Sequence, residues 1–445
     1  MRSLWTTVIL GVVLVGVVGF YFFLDPKRDP SSSTETKEKP FGAVTATDIE
    51  EIRVKTGNET TRAQKTDGKW QLVEPEQAGA DETELTSMTS SLASLELNRE
   101  VEANASDLKQ YGLDPPRVEL SFRVKGQKDE KKLALGEKTP TGGDLYAHVP
   151  GQKRVFLVSS YLDSTFNKTP FALRDKAILK VDRDKVDGLE LTSGTTTIEL
   201  AKSGSEWTLV KPIAARADYS TAEGALERLS SAQMVSITSA SPNAADLAKF
   251  GLDKPSSTMT IKTGSSRAML SLGKTENAVV FAKDSSRPVV FTVAPTVKDD
   301  VIKKVSDFRR KDLFDGRSFS VAHAEFKRGA ETIVLDKTKT KDEKTKEEKD
   351  VWKNGAGKDV EVMKAEDVFN KVTGLRATSF EDAAHPSLKT PALVVTLKFG
   401  DNKTETVTFG RADKDVYASR TGEPGAAKID ASGFDEALKA LDAVK

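Results

Sequence analysis

A period of 137 residues constrains this chain more than any other feature. Trp70 and Trp207 are 137 positions apart, Gly136 and Gly273 are 137 apart, and Gly273 and Gly410 are again 137 apart. Landmarks return around them in a fixed order. From Asp67 they read DGKWQLVEP, YGLDPP, KLALG, DLYAHV and RVFLV. The second set is GSEWTLVKP, FGLDKP, MLSLG, AVVFAK and PVVFTV, and the third is DVWKNG, SLKTP, VTFG and DVYASR. Self-similarity at a fixed period means one structural unit used repeatedly. A chain of 445 residues has room for about three such units, at about 150 residues per domain.

In the first copy IEEIRVKT, ETTRAQKT and KWQLV alternate apolar or β-branched residues with polar ones, which predicts half-buried strands. Asp81 and Glu84 have the spacing of a capping box, and Leu85, Met88, Leu92 and Leu95 then recur at helical spacing. Gly112, Leu113 and Pro115 have the order of a left-handed cap, a hydrophobic contact and a stop. VELSFRV, KKLALG, LYAHV and RVFLV read as further strands, and SYLDSTFNK as a closing helix or turn. The second copy repeats the pattern, with Ala222, Leu226 and Leu229 on its helix and Gly251, Leu252 and Pro255 at its cap.

The third copy departs in two places. Trp352 falls 145 positions after Trp207, because the run 336–350 adds about eight residues. With six Lys and six acidic residues that run reads as a solvated loop. His385, Pro386 and Ser387 stand where the other copies have Tyr111-Gly112 or Phe250-Gly251, so the left-handed turn is not assured there.

Leu4 to Leu24 is a run of 21 residues without a charge, long enough as a helix to span a hydrocarbon core of about 30 Å. It ends in FYFFLDP rather than in small residues, so an uncleaved anchor is expected rather than a signal peptide. Lys27, Arg28, Lys37 and Lys39 follow the span against Arg2 before it, a count that favours a cytoplasmic soluble part, although long domains translocate largely regardless of charge. The expected fold class is α+β: a single N-terminal transmembrane helix, then three tandem α+β repeats of about 137 residues, each a mostly antiparallel sheet with one or two packed helices. The expected boundaries are 1–24 for the anchor, 25–40 for a flexible tether, 41–175 for repeat one, 176–312 for repeat two and 313–445 for the divergent repeat three.

Raw materials for chemistry are thin. Cysteine is absent, which removes disulfides, thiolate metal sites and thiol nucleophiles. Lys plus Arg equals Asp plus Glu at 67 each, so no global field attracts nucleic acid. His148, His323 and His385 lie at non-equivalent places and lack metal-ligand spacing. NGAGKD at 354–359 has Trp352 and Asp359 where a phosphate loop needs Gly and Ser or Thr. No catalytic, cofactor-binding or metal residue is expected. Trp70, Trp207 and Trp352 are read as core plugs, because a buried indole covers so much area. Gly112 and Gly251 are read as left-handed caps. Gly136, Gly273 and Gly410 are read as strand ends explained by turn geometry.

The landmarks carry a family resemblance. The sequence has W-x-L-V-x-P, helix starts at Ala80-Asp81 and Ala217-Asp218, Y/F-G-L-D-x-P, L-x-L-G, the pairs Tyr146-Ala147 and Phe281-Ala282, V-F-x-V, and F-x-L-R-D at Phe171 to Asp175. Together these resemble a bacterial domain-of-unknown-function family of single-anchor envelope proteins, often encoded beside gliding-motility-type ABC transporter components. The resemblance is strong over repeat one, good over repeat two and weak over repeat three. It brings no activity or catalytic residue with it. It implies an inner-membrane location with the soluble part in the periplasm, and ABC-transporter membrane subunits as partners. The expected function is therefore that of a membrane-anchored, non-enzymatic envelope protein, an accessory or scaffold for an ABC-type transport system. The alternative is an envelope protein that holds a small molecule or glycan in a cleft between repeats. Such a cleft would put exposed aromatics and convergent polar groups at a repeat junction.

Overall fold

Residues 38–341, 348–400 and 402–445 are described by a computed structural model of the chain. Each of the three copies builds one nine-stranded antiparallel sheet, and the strand order is the same in all three. In repeat one the strands are β1 (Ile49–Thr56), β2 (Glu59–Thr66), β3 (Lys69–Glu74), β4 (Ala78–Gly79), β5 (Arg99–Glu102), β6 (Val118–Val124), β7 (Lys131–Lys138), β8 (Asp144–His148) and β9 (Val155–Ser159). They lie in the order β4-β3-β2-β1-β6-β7-β8-β9-β5. Hairpins carry the chain outward from β1 to β4, and helix α1 (Glu82–Ala93) then takes it to the opposite edge, where β5 pairs with β9. β6 returns to the middle beside β1, and β6 to β9 run back toward β5.

Local chemistry accounts for these elements. Asp67 and Gly68 both have positive φ, as a two-residue hairpin connection between β2 and β3 requires. Asp81 caps α1 by accepting from the Thr83 and Glu84 amides, each at 3.1 Å. The predicted helical stripe is the buried one: Leu85 and Met88 are 0% exposed and Leu92 is 2%. These side chains share one core with Ile52, Val54, Trp70, Leu120, Phe122 and Leu135 of the sheet.

The two halves of the sheet differ in how they are covered. β1 buries Ile52 and Val54 toward the helix while Arg53 and Lys55 are exposed, the alternation of a sheet with one open face. β9 buries Val155, Phe156, Leu157 and Val158 in succession, because that half is covered on both faces. The second cover is the segment between β5 and β6. Its Ala105, Leu108, Tyr111 and Leu113 pack with Ala134, Tyr146 and Val155 in a separate small core.

The chain divides into two compact units, Met1–Asp175 and Lys176–Lys445, the second holding repeats two and three. Repeat two has the equivalent helix at Tyr219–Ser231, capped by Asp218, and a short helix at Ala244–Phe250 ending on Gly251, where repeat one has only the 3-10 turn Lys109–Tyr111. Repeat three pairs the helix Val362–Thr373 with the closing helix Ala431–Asp442 over a core containing Phe326, Trp352, Phe369, Phe409 and Phe434. Within the second unit an extended connection joins the two sheets. The Arg310 amide donates to the Arg216 carbonyl at 2.9 Å on the repeat-two side, and the Ala377 amide donates to the Lys311 carbonyl at 2.8 Å on the repeat-three side.

Three expectations are corrected. Among the described residues no helix is long and apolar enough to cross a membrane. The longest of them, Tyr219–Ser231, has 13 residues, which is about 20 Å against the roughly 30 Å required. The run Leu4–Leu24 lies outside the described residues, as do residues 25–37 of the expected tether. The described end of that tether is docked: the Leu97 amide donates to the Glu38 carbonyl at 2.8 Å, and Arg154 binds the Glu38 carboxylate at 2.6 and 2.7 Å. The described residues of the charged run 336–350 are not a loop either. They belong to the paired strands Glu331–Lys341 and Glu348–Asn354, with the ladder reaching Lys341↔Glu348, while 342–347 lie outside the described residues. Charge balance hid the strands because opposite charges sit near each other across the ladder, Lys337 to Asp350 and Lys339 to Glu348, each at 3.4 Å.

Candidate functional site

The recurrent glycines are explained by close backbone approach rather than by turn geometry, which corrects the reading of Gly136, Gly273 and Gly410 as strand ends. All three lie inside strands: Lys131–Lys138, Ser266–Glu276 and Lys403–Ala412. A Cβ on Gly136 would sit 2.2 Å from the Tyr111 carbonyl oxygen, and one on Gly273 would sit 2.2 Å from that of Phe250. Gly112 and Gly251 hold the turn above, at φ of 64° and 69°. The turn brings an aromatic ring onto the next strand: Tyr111 lies 5.0 Å from Tyr146, and Phe250 lies 4.6 Å from Phe281. Landmarks far apart in sequence are therefore parts of one contact.

Repeat three keeps this contact with different residues. His385 caps a short 3-10 helix, Pro386–Lys389, and its ring stacks on Tyr417 at 3.6 Å with 3° between the planes. Ser387 takes the place of the left-handed turn, so a Cβ on Gly410 would meet Ser387 backbone and side-chain atoms at 2.5 Å.

The three tryptophans are buried, Trp70 and Trp207 at 3% exposure and Trp352 at 2%. Each has a lysine directly across the ladder whose ammonium lies over the ring: Lys65 at 5.0 Å, Lys202 at 5.4 Å and Lys337 at 5.5 Å. The Trp207 indole N–H also donates to Glu223 at 2.8 Å. Burial favours the neutral Glu223 acid, but bonds from Lys202 and Trp207 outweigh it and lower the pKa.

The remaining histidines take separate roles. His148 is buried in β8, and that burial lowers its pKa, only partly offset by the Gln152 carbonyl at 3.5 Å. His323 pairs across the ladder with Asp336 at 2.6 Å and lies 3.2 Å from Glu325, a grouping that linear spacing could not reveal. Among the described residues there is no group of three or more His, Asp or Glu able to hold a metal ion.

The densest polar assembly joins repeats two and three. Arg216 binds Glu423 at 2.6 Å, Asp315 at 2.7 Å and the Asp312 carbonyl at 2.8 Å. Asp315 also receives Arg310 at 2.9 Å and Arg420 at 2.8 Å, and Arg420 pairs with the buried Glu405. Glu405 accepts from the Asp315 and Gly316 amides at 2.9 and 2.8 Å. Burial opposes the Arg216 charge, but Glu423 and Asp315 outweigh it and raise its pKa. Burial likewise favours the neutral Asp315 acid, but Arg216 and Arg420 hold its carboxyl below the usual carboxylate range. Repeat one has Gly79 where repeat two has Arg216, as the matching bonds from the Asp175 and Arg310 amides show. Periodicity therefore gave no sign of this network.

Beside the network is a cleft of about 390 Å³, lined in part by Trp207, Asp218, Tyr219, Arg310, Asp312 and Arg376. Tyr219 is 56% exposed there. Asp312 holds Arg376 at 3.2 Å and Arg310 at 3.7 Å, so the arginines that reach the cleft are positioned by a carboxylate. The arrangement could orient an anionic or hydroxyl-bearing group.

Comparison with known proteins adds a family. No curated protein matches the chain. Among solved structures, a DNA polymerase sliding clamp from Pseudomonas aeruginosa with ligand is 10% identical, with 87% of this chain and 92% of that chain covered and a TM-score of 0.14. The DNA polymerase III subunit beta from Pseudomonas aeruginosa is also 10% identical, with 87% and 94% covered and a TM-score of 0.15. Likeness at that level carries no argument about fold or function. A family model matches twice, over residues 70–241 and 207–391, which together take in more than half of the chain and follow its internal period. The chain thus belongs to the family described as Domain of unknown function (DUF4340).

Proposed function

We propose that this chain is a non-enzymatic interaction protein of the cell envelope, an accessory or scaffold for an ABC-type transport system. One observation carries the interaction reading: the buried frame recurs three times while the open sheet face changes at equivalent ladder positions. The cross-strand pair Arg53↔Arg62 in repeat one is Glu190↔Glu199 in repeat two and Glu325↔Val334 in repeat three. A repeated frame with divergent faces suits recognition of extended partners, because each copy can present its own charges. The family resemblance is what supports the envelope and the transporter. Affinity purification after crosslinking tests the proposal, with transporter membrane subunits expected among the recovered proteins. Recovery of only the proteins found with an unrelated envelope bait would refute it.

The cleft beside Arg376 favours a second reading, a small-molecule or glycan site. Its volume is within the range of about 300–1,000 Å³ usual for ligand sites, and it has the exposed aromatic and convergent polar groups such a site needs. Native mass spectrometry decides between the readings. A bound small molecule retained by the wild type and lost in Arg376→Ala would favour the cleft.

A further inference from the structure

The outer edge of the sheet is covered in repeats one and two, each time by a short bridging segment that follows a turn or a helix, Val305–Phe308 in repeat two. In repeat one the Asp81 amide donates to the Leu173 carbonyl at 2.8 Å, and the Asp175 amide donates to the Gly79 carbonyl at 2.9 Å. In repeat two the Asp218 amide donates to the Phe308 carbonyl at 2.8 Å, and the Arg310 amide donates to the Arg216 carbonyl at 2.9 Å. Bridges Ala80↔Arg174 and Ala217↔Arg309 complete the match. Each covering segment buries a large apolar side chain, Leu173 at 1% or Phe308 at 0% exposure, followed directly by an arginine. Arg174 pairs with Glu76, and Arg309 lies 3.8 Å from Glu423. Beneath the segments Ala80 and Ala217 are 7% and 6% exposed.

Repeat three has the same edge, and no described residue covers it. Asp359–Val360 pairs inward, Val360 with Trp352 and Asp359 with Lys353. Among the described residues nothing pairs with its outer side, where the Glu361 amide and the Asp359 carbonyl stand in the places of Asp81 and Gly79. Exposed backbone donors and acceptors on a sheet edge are a template for another strand. Apolar surface lies next to this edge: Val362 is 39% exposed and Met363 76%. The other repeats carry Glu82 and Thr83, or Tyr219 and Ser220, at those positions. The side chains of Asp359 and Glu361 are 78% and 59% exposed and pair with Lys353 at 3.3 Å and Lys364 at 3.2 Å, solvated pairs that an incoming arginine can replace.

We infer that the outer edge of repeat three, Asp359 to Glu361, is a docking site that takes an extended segment of a partner protein by strand addition, the segment carrying a large apolar residue followed by arginine. In this mode main-chain hydrogen bonds supply affinity and alternate side chains supply specificity. The inference rests on the reading of the chain as an interaction protein and names the surface it uses. The chain's own covering segments define the probe.

Fluorescence anisotropy of a labelled peptide spelling residues 305–312, VSDFRRKD, titrated with the full chain, is the test. Binding is expected, and a scrambled peptide should bind more weakly. Glu361→Pro removes the outward N–H at a residue whose φ of −57° already suits a proline ring, and should weaken binding by about tenfold or more. Met363→Asp places a carboxylate in an exposed first helical turn, which the helix dipole favours, and should weaken binding with the fold intact. Circular dichroism checks the fold of both variants. No binding to the wild type, or equal binding to wild type and both variants, would overturn the inference. So would self-association of the chain that Glu361→Pro abolishes without any peptide binding, which would assign the edge to a second copy. Partners crosslinked in cells and retained by both variants would refute the edge while leaving the interaction reading standing.

Discussion

Replacing Gly273 by alanine should destabilise repeat two more than its size suggests. The new methyl would lie 2.2 Å from the Phe250 carbonyl oxygen and 3.2 Å from the carbon and oxygen of Gly251. Neither side can yield cheaply. Gly273 lies inside the strand Ser266–Glu276, and Phe250 is fixed by the helix Ala244–Phe250 and by its ring contact with Phe281. Overpacking of a core side chain costs about 1–3 kcal/mol, and a clash between two backbone segments belongs at or above the upper end, about 3 kcal/mol. Gly224→Ala is the matched control: Gly224 is in the helix Tyr219–Ser231, and its added Cβ would meet nothing within 4 Å. That change should stabilise by about 0.5–1 kcal/mol, because glycine loses more backbone entropy in a helix than alanine does. Hydrogen exchange resolved by peptide suits a chain with several cores, since it reports local opening energies where a single unfolding midpoint does not. Faster exchange is expected across residues 247–256 and 268–276 in Gly273→Ala, and slower exchange along the helix in Gly224→Ala. Unchanged exchange in Gly273→Ala would refute the close-approach explanation for all three strand glycines.

Arg216→Ala removes three short bonds from a side chain that is 18% exposed, but leaves Asp315 with Arg310 and Arg420. Breaking a buried pair costs about 3–5 kcal/mol, so a loss near 3 kcal/mol is expected in the second unit, seen as faster exchange around residues 308–317; wild-type protection there would contradict the network's role. Trp207→Ala should cost about 3–5 kcal/mol in repeat two, with no change confined to a surface property. Asp315 has a lowered folded pKa, so its contribution to stability is present above the unfolded value of about 3.9 and is lost as pH falls through the folded value. Thermal unfolding from pH 7 to pH 2 should show a smaller acid-side loss in Asp315→Asn than in the wild type. Equal slopes below pH 4 would show that Asp315 does not report the junction.

What the sequence made legible follows from periodicity. The strands at 49–56, 59–66 and 118–124 and the stripe Leu85, Met88, Leu92 could be read because local alternation or helical spacing is written into consecutive residues. The Gly136 contact was hidden because it joins residues 25 positions apart, from Tyr111 to Gly136, with no local pattern to link them. The Arg216 network was hidden more deeply, since its partners Asp315 and Glu423 are 99 and 207 positions away and repeat one has no counterpart. The edge at Asp359 to Glu361, unpaired on its outer side among the described residues, emerges only when the covering segments Leu173 to Asp175 and Phe308 to Arg310 are seen in place. The run 336–350 misled because balanced charge marks solvent exposure, and an exposed hairpin is as solvated as a loop.

Crosslinking of the chain in intact cells, followed by mass spectrometry of what it captures, tests the central claim that it acts by interaction. The account predicts enrichment of ABC-transporter membrane subunits, with crosslinks to lysines of the repeats, and an unchanged partner set when His148, His323 and His385 are all replaced by Gln. No partner enriched above an abundance-matched control, or loss of cellular function in the histidine-free protein while it remains folded and bound to its partners, would contradict it.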